Sequence, residues 1–164
     1  MVSVPQTTES QRGVLYAVAA LSLIAGLIHL RVMPEHFEEW WGYGAFFLVA
    51  AVAQVVYVPL LLRWPNRSVL LLGIAGNSAI VLLYLLTRVV GIPLFGPEAW
   101  DVEGVGIIDL CATTSEVAIV VALGALTLLG IARERTTLFG LVLAAVLLVG
   151  AHLPHVLLLI VALL

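Results

Sequence analysis

Charged residues are scarce in this chain, and lysine is absent altogether. Only 10% of the 164 residues are charged, whereas a soluble domain carries about a quarter. The net charge of −3 and the lack of any basic run exclude a typical nucleic-acid-binding surface. With 63% hydrophobic residues and a mean hydropathy of +1.19, most of the surface must face something other than water. The lipid bilayer is therefore the first expected partner.

Cysteine is nearly absent as well. Cys111 is the single one, which excludes an internal disulfide and any metal site built from several thiolates. As a small apolar side chain it is expected to be buried. The sequence also has no phosphate-binding glycine loop and no nucleophile elbow. Its first apolar run lacks a small-residue cleavage site, so we expect that run to be retained as a membrane helix.

Long apolar runs are what the sequence has in abundance. Five of them approach or exceed the length of about 20 residues that a transmembrane helix needs. They predict an all-α integral membrane bundle of five transmembrane helices in a single domain, 1–164. The expected helices are 13–33, 42–63, 68–90, 105–131 and 137–164, each bound being approximate.

The distribution of arginine predicts the orientation of this bundle, because basic residues concentrate on the cytoplasmic side of membrane proteins. If the N-terminus is inside, the outer side keeps only Arg31 and Arg88. The other five arginines are then cytoplasmic: Arg12, Arg63, Arg67, Arg133 and Arg135. We therefore predict a cytoplasmic N-terminus and a C-terminus outside.

The ionisable residues within the predicted helices share the outer half of the membrane. At a rise of ~1.5 Å per residue, His29 in the first helix and His152 and His155 in the last fall in its outer third. Asp109 lies about one turn into the fourth helix from outside, and Glu116 lies about two turns deeper. A proline between the last two histidines predicts a bend that makes room for them. Because such residues are costly inside a bilayer, they mark a candidate functional site.

Histidines and carboxylates without a thiolate cluster favour a transition metal, namely zinc, copper or iron. The expected ligands are His29, His152, His155 and Glu116. Asp109 is either a fifth ligand or the acceptor that orients a ligating imidazole. Alternatively, Glu116 stays off the metal and acts as general base towards a metal-bound water. The sequence leaves open whether the site is structural or catalytic towards a lipid, a quinone or a small periplasmic solute.

A b-type haem is the second hypothesis for the same region. His29 and one histidine of the last helix would be its axial ligands. Arg31 and Arg88 would then be the cofactor-binding residues that pair with the haem propionates.

Two further hypotheses need no cofactor. In the first, the protein is a carrier with a proton relay of Glu116, Asp109 and the histidines, and a chain this short would need to form a homo-oligomer. In the second, it is a scaffold subunit in which Arg88 neutralises Asp109 or Glu116. Whichever hypothesis holds, Gln54 and Asn77 are expected to form hydrogen bonds between helices, and the alternative is that they orient metal ligands or form the inner floor of a polar cavity.

Two outer segments lie next to this region. The run PEHFEEWWGYG is typical of an interfacial turn, and the alternative is that Glu35, His36 and Glu39 form an entry patch for a cation. The run GIPLFGPEAWDVEG is expected to be a plain connector, and the alternative is a lid over the outer opening.

The stretches EHFEEWWGYGAFFLVAAVAQ and GIPLFGPEAWDVEGVGIIDL resemble a pattern found in small multi-pass membrane proteins of bacteria. The resemblance covers about the first four predicted helices. It implies a location in the prokaryotic plasma (inner) membrane, and it implies no activity, cofactor or site residue.

Overall fold

The apolar runs of the sequence fold into long α-helices. The computed structural model describes residues 9–92 and 96–129, and this part of the chain is helical without any strand. Its helices are α1 (Glu9–Glu39), α2 (Trp41–Arg63), α3 (Arg67–Val89) and α4 (Ile107–Leu129). All four are long and apolar enough to cross a membrane, in agreement with the predicted all-α class. The predicted fifth helix, 137–164, lies outside the described residues.

α1 is longer than the sequence predicts. We expected this helix to end near residue 33, whereas it continues through Pro34 to Glu39. A proline within a helix removes one backbone hydrogen bond, here the one to the carbonyl of Leu30. An ion pair of 3.3 Å between Arg31 and Glu35, one turn apart, supports the added turns. The segment predicted as an interfacial turn is therefore mostly a continuation of α1.

Short connections reverse the chain between consecutive helices. Trp40 alone separates α1 from α2, and its carbonyl accepts the N–H groups of Tyr43 and Gly44 at 3.1 and 3.2 Å. Asn66 caps α3, because its Oδ1 accepts the N–H of Val69 at 3.1 Å. Connections this short reverse the direction of the chain from one helix to the next.

The connection between α3 and α4 folds back against the end of α3. Gly91 ends that helix with a φ of 78°, a left-handed conformation that favours glycine. A Cβ atom at Gly91 would clash with the backbone of Trp100, which passes directly beside it. Further along, the N–H of Glu103 donates to the carbonyl of Thr87 at 3.1 Å. The second half of the connection is therefore held close to the helix ends.

The two ends of the described bundle carry opposite charge. We call one the basic end, where Arg12, Arg63 and Arg67 lie. We call the other the acidic end, and its carboxylates are Glu35, Glu38, Glu39, Glu98, Asp101 and Glu103. The most extensive packing is between α1 and α2, and α4 packs against both α1 and α3, whereas α2 and α3 touch little.

An apolar core fills the half of the bundle next to the basic end. Val18, Leu61, Ile119 and Leu123 are completely buried there, one or two from each of α1, α2 and α4. The outer surface is also apolar, since large side chains such as Leu82 on α3 are exposed. A protein surface of this kind suits lipid rather than water.

The expectation that Cys111 is buried is wrong. Its side chain is exposed on the outside of α4. On an outer surface as apolar as this one, which suits lipid, a small apolar side chain loses little by being exposed, so the argument for burial does not apply.

Replacement of Leu61 by alanine is predicted to destabilise the bundle by about 2 kcal/mol, at the low end of the range for buried leucines. This free energy comes from the cavity that the missing side chain leaves. Moving a leucine side chain from lipid into the core contributes little, because lipid is as apolar as the core. The neighbouring Leu62 is exposed and is the matched control. Unfolding in detergent micelles should separate the two variants, and equal stability would show that the core is not packed as described.

Candidate functional site

A histidine and a glutamate from two helices meet in the middle of the bundle. The Nε2 atom of His29 on α1 lies 2.8 Å from Oε1 of Glu116 on α4. Both side chains are almost completely buried, with 4% and 1% of their surface exposed. A buried carboxylate must have a partner that offsets the loss of its hydration. His29 is that partner.

A chain of amides extends the pair to α2 and α3. Nε2 of Gln54 donates to Oε1 of Glu116 at 3.1 Å and lies 3.3 Å from Oδ1 of Asn77. Asn77 in turn donates to the carbonyl of Gly73 at 2.8 Å. The prediction that Gln54 and Asn77 form hydrogen bonds between helices is confirmed, and all four described helices contribute to one buried polar network.

Two buried atoms of this network have no hydrogen-bond partner among the described residues: Nδ1 of His29 and Oε1 of Gln54. Buried polar atoms are normally paired, so unpaired ones need an explanation such as a bound molecule or a functional role. The pair and its amides therefore have unused hydrogen-bonding capacity.

Arg88 organises the acidic end. Its Nη2 donates to Oδ2 of Asp109 at 2.8 Å, and its Nη1 donates to a carboxylate oxygen of Glu103 and to Oγ1 of Thr87. Its guanidinium also lies over the ring of Tyr84, 4.6 Å from the ring centroid. Of the two carboxylates considered for Arg88, the structure gives it Asp109 and not Glu116. These contacts tie the α3–α4 connection to both of the helices that it joins.

A cavity of about 450 Å³ extends from Glu116 towards the acidic end. Its apolar walls include Ile28, Val32, Ile80 and Leu83, and its aromatic walls include Tyr43, Phe46, Phe47 and Tyr84. Among the described residues, five carboxylates and one guanidinium line it: Glu39, Glu98, Glu103, Asp109, Glu116 and Arg88. His29 and His36 line it too. The space is thus apolar in its walls and negative in its charge.

The cavity ends at the polar network. The apolar core of α1, α2 and α4 lies between this network and the basic end. In the described part of the chain, the arrangement is that of a site entered from the acidic end.

Of the predicted metal ligands, the structure describes His29, Asp109 and Glu116, and it brings two of these three together. His29 and Glu116 are in contact, while Asp109 is bound by Arg88. His152 and His155 lie outside the described residues. Within the described ranges there is no group of three or more histidine, cysteine, aspartate or glutamate side chains placed to hold a metal ion.

The two arginines considered for haem propionates are both engaged with carboxylates. Arg31 is exposed on the outside of α1 and pairs with Glu35. Arg88 lines the cavity, but its two terminal nitrogens are bound to Glu103, Asp109 and a threonine hydroxyl. The described contacts therefore do not favour this cofactor.

Sequence analysis missed several residues of the cavity. In the sequence, Phe47 and Tyr84 cannot be distinguished from the other apolar residues of membrane helices. Glu98 and Glu103 lie in the connection, which was expected to be a plain connector, yet both line the cavity. The available signal is the acidic residues in the connection between two helices. The sequence does not indicate whether such residues face water or a cavity.

No family model, no curated protein and no solved structure matches this chain.

The contact between His29 and Glu116 is predicted to contribute a coupling free energy of about 1–3 kcal/mol to stability, because both groups are buried. A double-mutant cycle with His29→Leu and Glu116→Met, read from unfolding in micelles, measures it. The exposed pair Arg31 and Glu35 is the control, and its cycle should give a value near zero. Equal coupling in the two cycles would contradict the buried bond.

Proposed function

We propose that this protein is an integral membrane protein that binds a small cation in the cavity above His29 and Glu116. The basic end faces the cytoplasm, since arginine concentrates on that side of membrane proteins. The N-terminus is then cytoplasmic, the acidic end is outside, and the cation enters from there. A C-terminus outside and a prokaryotic plasma membrane complete this proposal, as the sequence predicts.

The observation that carries the proposal is the charge of the cavity. Five carboxylates line it against one guanidinium, and that guanidinium already has two of the five as partners. Walls of low polarity concentrate the field of such charges and raise the local concentration of cations. An anionic ligand would meet repulsion from Glu39 and Glu98 before it reached the cavity floor.

The floor of the cavity gives the bound cation a defined partner. Glu116 is the deepest carboxylate of the cavity, next to His29, and Gln54 fixes its position with a hydrogen bond. A charge held rigidly at the end of an apolar cavity attracts a cation more strongly than the same charge in water. The exposed carboxylates guide the cation inward, and Glu116 determines where it stops.

The closed inner half favours a binding protein or a carrier over an open channel. The apolar core separates the floor from the basic end. Passage through the protein would require this core to open, which is a conformational change of the kind that carriers undergo.

A transition metal is a second candidate for the cation, and one observation favours it. Nδ1 of His29 is buried and has no partner among the described residues, while Nε2 of the same ring contacts a carboxylate. Metal-binding imidazoles are commonly oriented by a carboxylate in this way. In that case Nδ1 binds the metal and Glu116 positions the ring. Elemental analysis of the purified protein and of a His29→Gln variant tests this candidate: stoichiometric metal in both would exclude His29 as a ligand.

Cation binding is predicted to stabilise the protein against heat, because a ligand that binds only the folded state adds about 2.7 kcal/mol at a concentration of 100 Kd. Thermal unfolding in micelles should show this with a panel of inorganic and organic cations at constant ionic strength. Glu116→Gln should weaken binding more than about tenfold, because it removes the charge at the floor.

The neighbours Glu38 and Glu39 supply the matched control for this experiment. Both are exposed acids near the end of α1, but only Glu39 lines the cavity. Glu39→Gln should weaken binding about two- to fivefold, as expected for the loss of a solvent-exposed charge, and Glu38→Gln should weaken it less. No stabilisation by any cation, or the same loss in both variants, would contradict the proposal.

A further inference from the structure

The shape of the cavity restricts which cation fits it. A volume of about 450 Å³ lies in the range of sites for small organic molecules, which is about 300–1,000 Å³. A bare metal ion is held by ligand atoms at about 2.0–2.3 Å and leaves no such space around it. The long apolar walls also have no use in the binding of an inorganic ion. Size and wall chemistry both indicate an organic cation.

Aromatic rings stand next to the floor of the cavity. The ring of Phe47 has its centroid 5.5 Å from that of His29 and 3.9 Å from that of His36. Phe46 meets Phe47 edge to face, with 5.4 Å between the centroids. The face of an aromatic ring attracts a cation that lies within about 6 Å of its centroid. Phe47 and Glu116 both stand next to His29, so an aromatic ring and a carboxylate lie on the same part of the cavity wall.

The wall of the cavity already contains one example of this interaction. The guanidinium of Arg88 lies 4.6 Å from the centroid of Tyr84 and is also bound to carboxylates. An aromatic ring and an acid thus share one cation within the fold. Phe47 and Glu116 offer the same combination of side chains to a ligand.

Hydrogen-bond acceptors near the floor are partly used. Oε1 of Glu116 already contacts both His29 and Gln54. Oε1 of Gln54 and Nδ1 of His29 are the two atoms of the network left without a partner among the described residues, whereas a primary ammonium group has three N–H donors and needs an acceptor for each when it is buried. An ammonium group whose hydrogens are replaced by alkyl groups has no such need, and its alkyl groups suit apolar walls.

The geometry points to an alkylated ammonium ion, tertiary or quaternary, as the ligand of this cavity. This inference rests on the proposed function and makes it more specific. The ammonium charge lies between Glu116 and the ring of Phe47. The remainder of the molecule lies along the apolar walls towards the acidic end.

Four probes test the inference with the full-length protein in micelles: choline, its uncharged isostere 3,3-dimethylbutan-1-ol, ethanolamine and Zn²⁺. Isothermal titration should show choline binding at least about tenfold more tightly than the isostere, and more tightly than ethanolamine. Phe47→Leu should weaken choline binding about three- to tenfold, whereas Phe47→Tyr keeps the ring and should retain it. Phe37→Leu, a substitution outside the cavity, should have no effect.

The outcomes separate this inference from the proposed function. Binding of Zn²⁺ without choline, or a preference for ethanolamine, would overturn the inference and leave the proposed cation site standing. Equal binding of choline and its uncharged isostere would overturn both the inference and the cation site. Failure of every cation to bind would overturn the proposed function itself. The comparison of ligands on the unmodified protein decides the matter even if the Phe47→Leu variant does not fold.

Discussion

The buried bond between His29 and Glu116 is the interaction on which the rest of the site depends. A carboxylate in the middle of an apolar bundle is stable only with partners, and this one has an imidazole from α1 and an amide from α2. The amide in turn contacts Asn77 of α3. The four described helices are thus joined through one glutamate. In a bilayer, which offers no water to replace these partners, the helices would have to meet at this level.

The division of the bundle into two halves follows from the same constraint. Next to the basic end, side chains without charge pack into a continuous core. Towards the acidic end, the helices enclose a cavity, and Arg88 holds the connection between α3 and α4 beside it. One half supplies packing stability, and the other keeps an open space with a negative charge. A site that ends at a buried carboxylate and begins among exposed ones is suited to take up a cation from one side.

The helices, and the depth of each residue along its helix, could be predicted from the sequence because they depend on local properties of the chain. Apolar runs predict α2, α3 and α4 within a few residues, and a constant rise per residue places His29 and Glu116 in the same half of the membrane. The sequence predicts them as ligands of one metal and does not predict the direct bond between them. The continuation of α1 past Pro34 was not predicted either, because a proline locally favours the end of a helix and an exposed ion pair such as Arg31–Glu35 contributes too little to predict otherwise.

Partners that depend on the relative rotation of helices could not be predicted from the sequence. The sequence offers Arg88 two carboxylates on α4, and which of them it contacts is set by how α3 and α4 face each other. The place of Phe47 beside two histidines and the enclosure of a cavity by the connection are also tertiary features. A hydropathy pattern predicts the length of each helix, but it does not predict how the helix is rotated about its own axis.

Infrared difference spectroscopy of the protein in lipid, with and without tetramethylammonium, tests the central claim most directly. The account predicts that the cation changes the stretching bands of a carboxyl group. It also predicts that this change is lost in Glu116→Gln and kept in Glu38→Gln. A cation-induced change that persists in Glu116→Gln would show that the cation binds elsewhere and would contradict the account.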